Sequence, residues 1–306
     1  MADGSRHSLF HIPEAAYAVT PTTPEFKKCR YVTCTLGITK DSLKSSELRS
    51  DRQIADFRLG QNKVGGAITG ELSMDPELQT FLEATLGGTW TENVLKVGTT
   101  RRSFSFLRHF EDMANTEKAW MLLNGGEFST LSITASAGKI ATYSADVIGK
   151  GFAIATAAPT GATFDAASSV PVMDAFTGTI SEGGSAIAVV TEVQMKLDNG
   201  MDRKFVLGSK DTLHPQQGVS DVSGSISAYF ESTALFEKFL AESSTSLSFQ
   251  LSNGSSSYTF SLPNLKYTSG QPDVSSAGAV LATMNFQAVL SPTDGTQLSI
   301  TRATGV

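Results

Sequence analysis

The chain has 306 residues, with 24 Lys and Arg against 30 Asp and Glu and a formal net charge of −6. That balance excludes a general polyanion binder, whose affinity rests on Lys and Arg neutralising phosphates. Its 37 Ser, 33 Thr and 27 Gly, with only 18% charged residues, favour turn-rich β-structure over helix; 40% apolar residues including 18 Phe exclude wholesale disorder.

No stretch approaches the run of about 18 apolar residues that a membrane helix needs. Residues 1–7 lack an apolar leader segment, so a soluble chain made in the cytoplasm is expected. Residues 1–27, with Pro13, Pro21 and Pro24, read as an irregular arm. A strand is expected over 28–36, then a polar loop to about Asn62 whose charged centre is 45–53, then a strand over 63–72. A helix follows, with Asp75 as N-cap, Pro76 at the first helical position, the stripe Leu78, Phe81, Leu82 and Leu86, and Gly87-Gly88 at its end. Further strands are expected at 94–98, 103–108, 128–135 and 139–149. Residues 152–170 are rich in Ala, Thr and Ser, with Asp165 the only charge, and read as a linker.

The pattern then restarts. Stretches 172–180 and 186–197 flank a hairpin signal at 181–185, Asn199-Gly200 is a turn, and 211–220 is a polar loop. A strand at 222–230, a helix at 233–242 and strands from Leu247, Tyr258 and Val280 complete it. A shift of 158 residues lays Val64-Gly65-Gly66-Ala67-Ile68 over Val222-Ser223-Gly224-Ser225-Ile226 without a gap. Asp75 then falls on Thr233 as N-cap, Leu78 on Phe236, Phe81 on Phe239 and Leu82 on Leu240. Strand phase, cap and helical stripe coincide in one register, the signature of an internal repeat. The expected organisation is an arm (1–27), a first unit (28–152), a linker (153–171) and a second unit (172–302).

Strand alternation separates two faces in each half. Ala141, Tyr143, Ala145 and Val147 oppose Thr142, Ser144 and Asp146; Ala282, Met284, Phe286 and Ala288 oppose Thr283, Asn285 and Gln287. Likewise Ile68 and Leu72 oppose Thr69 and Glu71, and Ile226 and Phe230 oppose Ser227. Each unit therefore carries a sheet with one face on a core and one wet. The wet side bears short hydroxyl and amide groups instead of the usual Lys and Glu, which suits passage of a polyanion more than its capture.

Chemistry-bearing residues are scarce. Cys29 and Cys34 lie five apart, on opposite faces of an extended strand. His7, His11, His109 and His214 stand without carboxylate or Cys partners at ligand spacing. No phosphate-binding glycine loop, dinucleotide fingerprint or nucleophile elbow is present. No catalytic residue, metal or cofactor is expected. Adjacent Arg101 and Arg102 read as a surface or inter-subunit pair, since one basic pair gives little phosphate affinity.

Three phrases carry a resemblance over about residues 17–302. They are Ser46-Glu47-Leu48-Arg49-Ser50-Asp51-Arg52-Gln53, Val64 to Leu72 with the capped helix and Trp90, and Leu197-Asp198-Asn199-Gly200-Met201 with Leu207-Gly208-Ser209 and Phe260-Ser261-Leu262-Pro263. Together they resemble the tail tube proteins of long-tailed, siphovirus-like bacteriophages. The resemblance implies a mainly β fold: two tandem, similar β-sandwich or barrel units, each flanked by one α-helix. It implies a non-enzymatic virion protein whose rings stack into a hollow tail conducting DNA, assembled in the host cytoplasm. Two units per chain imply a trimer with pseudo-sixfold symmetry, a hexamer being the alternative. Implied partners are further copies, the tape measure, tail terminator and distal tail proteins, and DNA in transit without specific binding. Thr69, Glu71, Thr142, Ser144, Asp146, Ser227, Thr283, Asn285 and Gln287 would face the bore, and Arg49, Asp51 and Arg52 would contact the neighbouring ring. The counterpart loop around 204–217 departs strongly in sequence. The competing reading is a β-sandwich adhesin or capsid-decorating module.

Overall fold

The computed structural model describes residues 2–114, 117–176, 178–187, 189–272, 274 and 278–304. Its strands are β1 (His7–Pro13), β2 (Glu25–Lys28), β3 (Thr33–Cys34), β4 (Gly37–Lys44), β5 (Phe57–Glu71), β6 (Val94–Lys96), β7 (Phe104–Phe110), β8 (Trp120–Ser136), β9 (Thr142–Gly149) and β10 (Gly151–Ala155). They continue as β11 (Thr163–Phe164), β12 (Ile180–Glu182), β13 (Ser185–Ala186), β14 (Val190–Asp198), β15 (Asp221–Tyr229), β16 (Thr245–Ser252), β17 (Ser256–Ser269), β18 (Leu281–Ala288) and β19 (Ser299–Thr304). Helix α1 (Pro76–Leu86) follows β5 and α2 (Ala234–Leu240) follows β15. The chain is mainly β, as its composition predicts.

One order of pairings runs twice. In the first half β5 lies between β9 and β3/β4, β9 pairs β8, β8 pairs β7 and β10, and β7 pairs β1. In the second, β15 lies between β18 and β14, β18 pairs β17, β17 pairs β16 and β19, and β16 pairs β12. The long strands β8 and β17 change partners along their length: β8 leaves β7 and β10 for β9 and β14, and β17 leaves β16 and β19 for β18. Each breaks register at the matching step, between Phe128 and Thr130 opposite β9 and between Tyr267 and Ser269 opposite β18. A bulge there bends the strand, which lets it turn the corner of a sandwich.

The halves then fuse. β14 pairs antiparallel with β8 from Glu192↔Ser136 to Asp198↔Thr130, making one sheet in the order β3/β4, β5, β9, β8, β14, β15, β18, β17. A second tie pairs β6 with β19, and the Arg302 guanidinium lies 4.6 Å from the Trp90 ring centroid.

The glycine common to both repeats has a packing cause. A Cβ on Gly66 would lie 2.5 Å from the Thr35 carbonyl oxygen, and one on Gly224 2.1 Å from that of Gln194. In each half the neighbouring strand comes too close for a side chain.

The helices differ. Pro76 starts α1, Gly87 ends it with φ 64°, and Leu78, Phe81, Leu82 and Leu86 are buried. None of the seven residues of α2 is buried, and Leu240 is 64% exposed. Neither expected N-cap, Asp75 or Thr233, makes a side-chain cap bond.

Three expectations need correction. Residues 1–27 are not irregular: β1 pairs with β7 along its whole length, and Phe26 is fully buried. Every residue from Ser8 to Ile12 is buried, so the strand is covered on both faces and shows no alternation to read. Residues 153–171 are more than a linker, since β10 pairs β8, β11 lies parallel to β2, and Lys27 ion-pairs with Asp165. The strand expected over 28–36 breaks at residues 29–32, sending β2 to the sheet of β1 and β3 to that of β5.

Candidate functional site

One face of the fused sheet is polar across its whole width, because antiparallel register carries side chains across the strands in rows. One row runs Glu71, Thr142, Thr134, Gln194, Ser225, Asn285 and Ser269. The next runs Thr69, Ser144, Ser132, Lys196, Ser223, Gln287 and Lys266. Shorter rows hold Asp146, Thr130, Asp198 and Asp221, and Ser136, Glu192, Ser227 and Thr283. The other face of these strands carries Ile68, Tyr143, Ile133, Met195, Ile226 and Met284, all buried.

The polar groups satisfy one another sideways. The Thr33 and Thr69 hydroxyls are 2.7 Å apart, Thr130 Oγ1 donates to Asp146 Oδ2 at 2.7 Å, and the Ser227 and Thr283 hydroxyls are 3.0 Å apart. Asn285 Nδ2 donates to Ser269 Oγ at 2.6 Å. Lys196 Nζ sits 3.0 Å from Asp198. The Asp198 carboxyl is held below the usual carboxylate range by the Gly200 backbone N–H and by Lys196. Glu71, Asp146, Glu192, Asp198 and Asp221 outnumber Lys196 and Lys266 on these rows. The face is concave: a hollow of about 450 Å³ opens among Ser132, Thr134, Gln194, Lys196, Ser225 and Asn285. Such a surface stays hydrated and offers phosphates little to hold.

All nine residues read as wet from strand phase lie on this face: Thr69, Ser144, Ser227 and Gln287 half-buried, Glu71, Thr142, Asp146, Thr283 and Asn285 exposed. The fusion brings the five from the first half and the four from the second onto one surface. Sequence reading missed its middle, Thr130, Ser132 and Thr134 of β8 and Glu192, Gln194 and Lys196 of β14. The signal was present, because both stretches alternate with buried Leu131, Ile133 and Ala135, or Val193, Met195 and Leu197. No group of His, Cys, Asp and Glu able to hold a metal ion occurs among the described residues.

Arg49, Asp51 and Arg52 lie elsewhere, at the tip of the β4–β5 hairpin. Arg49 Nη2 donates to Asp51 Oδ2 at 2.8 Å, which depresses the Asp51 carboxyl's pKa. Arg52 is exposed in left-handed backbone, φ 59°. The hairpin also exposes Leu43, Leu48, Ile54, Phe57 and Leu59, an apolar surface the charged sequence of the tip conceals. The counterpart loop of the second half folds back onto the first. Arg203 Nη2 donates to the Val64 carbonyl at 2.9 Å, and Asn62 N to the Lys210 carbonyl at 2.8 Å. His214 Nε2 lies 2.8 Å from the buried Glu127 carboxylate, and its ring stacks on Tyr17 with centroids 3.9 Å apart.

The basic pair read as surface or inter-subunit is spent inside the chain. Arg101 ion-pairs with Glu127 and donates to the Pro215 carbonyl at 2.7 Å; Arg102 donates to the Gly88 carbonyl at 2.6 Å. Their adjacency in sequence carried no information about those acceptors.

The profile of a family described as phage tail tube protein matches residues 4–288. No curated protein sequence gives a match to the chain.

Proposed function

Because the chain belongs to the phage tail tube protein family and is thereby a structural protein of the virion tail, we propose that its copies close into rings that stack into the hollow tube. Phage DNA then passes through that tube on its way into the host. The observation that carries this reading is the concave, net-acidic polar face that runs unbroken from one half into the other. In a ring it lines the bore, with Thr69, Glu71, Thr142, Ser144, Asp146, Ser227, Thr283, Asn285 and Gln287 toward the DNA. A weakly negative, hydrated wall repels a polyanion enough to keep it moving.

Two repeats per chain favour three chains per ring with pseudo-sixfold symmetry over six, each contact being heterologous and closing on itself. The β4–β5 hairpin, with Arg49, Asp51, Arg52 and its apolar flank, reaches the adjacent ring. The tail is of the long, siphovirus-like kind, assembled in the host cytoplasm with a tape measure, a terminator and a distal tail protein as partners.

Electron microscopy of the purified full chain tests this. End-on averages are expected to show a ring of six similar lobes around a hole, and side views stacked rings. Solely monomeric particles under all conditions, together with absence of the protein from tails, reject the reading. Replacing both Glu71 and Asp146 with Lys is expected to leave tubes intact while slowing genome release.

A further inference from the structure

The joint between the two halves of one chain predicts the joint between chains. Phe128 and Thr130 face Val147 and Asp146 just as Tyr267 and Ser269 face Phe286 and Asn285, each 139 positions on. On the other side of the joint, Ile38 faces Val64 as Leu197 faces Val222, and Gly37 faces Gly65 as Lys196 faces Ser223. Inside the chain, Thr130 pairs with Asp198 and Ile133 with Met195. The residues answering to these four are Ser269, Thr39, Pro272 and Leu36, and in this chain they sit at opposite ends of the fused sheet. β4 has only β5 as a strand neighbour among the described residues.

We propose that residues 269–272 of one copy add antiparallel to residues 36–39 of a second copy, with Ser269 opposite Thr39 and Pro272 opposite Leu36. The proposal rests on the ring reading and specifies its register. Thr35 N donates inward to the Ala67 carbonyl at 2.9 Å, so Thr35, Gly37 and Thr39 bond to β5. The backbone groups of Leu36 and Ile38 therefore point out to a newcomer. The Leu36 carbonyl already accepts from the Arg108 guanidinium, and the residue falling opposite it is a proline with no N–H to give. Phase agrees as well. Ser269 is bonded to Asn285 on the polar face, and Gln271 alternates with it. Gly270, Pro272 and Val274 take the core side that Leu131, Ile133 and Ala135 take in β8. Val274 is 78% exposed in the single chain. Next to Gly270 a hollow of about 380 Å³ opens among Leu235, Phe236, Ala282 and Met284, with Glu182 and Glu231 at its lining, on the side where the added strand would lie.

The test is disulfide trapping in the full chain, with Cys34→Ser to clear the half-buried native thiol. Directly opposed residues of a non-hydrogen-bonded pair have Cβ atoms about 4.5–5.5 Å apart, close to disulfide reach. Thr39→Cys with Ser269→Cys is expected to give a covalent ladder ending at the closed ring. Mixed single variants should give only dimers. The displaced pair Gly37→Cys with Ser269→Cys should cross-link at least tenfold less. Microscopy of the same samples under reducing conditions separates the two ideas. Rings whose Ser269→Cys links to Gly37→Cys, or to neither, overturn the register and leave the ring reading standing. An absence of rings from the native chain overturns both.

Discussion

Helices α1 and α2 occupy the same place in the same topology, yet only the first is covered. Over α1 lies β1: the His11 ring is 4.7 Å from that of Phe81, and His11 Nε2 is 3.1 Å from Glu77. The second half contributes Asn199, whose Nδ2 donates to the Thr85 carbonyl at 2.8 Å. Over α2 the matching strand β12 has only three residues. Leu235 and Phe239 are half-buried against the core, and Glu182 ties that end, 2.6 Å from Lys238 and 2.7 Å from Thr245. Under the proposed register the residue answering to Asn199 is Lys40, beside the β4 edge, so only another copy can bring it over α2. The lesson is that a duplicated unit need not be complete twice. The first repeat is finished by the second, and under the proposed register the second is finished by a neighbour.

Four measurements break or sharpen that comparison. Phe81→Ala should destabilise the isolated chain by about 3–5 kcal/mol in denaturant titration, the range for a buried aromatic, and Phe239→Ala, a half-buried ring against the core, by about 1–2 kcal/mol. Equal losses would mean that α2 is as well packed as α1. Gly66→Ala and Gly224→Ala should both destabilise, by about 1–3 kcal/mol for the close strand approach they share, and Gly66→Ala by more, because only Gly66 also holds φ 145°. Equal losses would mean that the backbone conformation of Gly66 adds nothing to the packing constraint.

Acid titration probes the cover of the first half. His7 has its pKa pushed down to about 4, chiefly by burial and then by Arg108 and His109. Its Nε2 accepts from Arg108 Nε at 3.0 Å, which requires the neutral ring. The folded pKa is below the unfolded value of about 6.5, so between them the unfolded chain binds more protons. Thermal stability should therefore fall as pH drops from about 6.5 toward 4. His7→Gln should flatten that slope, and an unchanged slope would assign it to other groups. Smallest in the isolated chain is Leu240→Ser, expected within about 0.5 kcal/mol of the parent while lowering the yield of rings seen by microscopy.

Much of this was legible where a strand has one wet face. Thr142, Ser144 and Asp146 against Tyr143, Ala145 and Val147 declared their sides by alternation alone, and the offset from Val64 to Val222 exposed the repeat. Legibility failed where that physics was absent. β1 is buried on both faces and so reads as an arm. The β6–β19 and β8–β14 pairings join residues far apart in the chain, and no local pattern names a strand's distant partner. Of the second helical stripe, Phe239 is half-buried against the core while Leu240 stands exposed: periodicity reports which side is apolar, not how far it is covered. The exposed apolar flank of the β4–β5 hairpin was hidden for the converse reason, scattered among charges.

The pairing of β6 with β19 sets an order on biosynthesis. At about 5–20 residues per second, a ribosome reaches Ser299 roughly 10–40 s after Lys96. Until then the Leu95 edge waits without its partner strand, and the Trp90 ring without Arg302 above it. A nascent or prematurely terminated polypeptide therefore cannot finish even its earliest-made half. Only a fully translated chain carries the β6–β19 pairing.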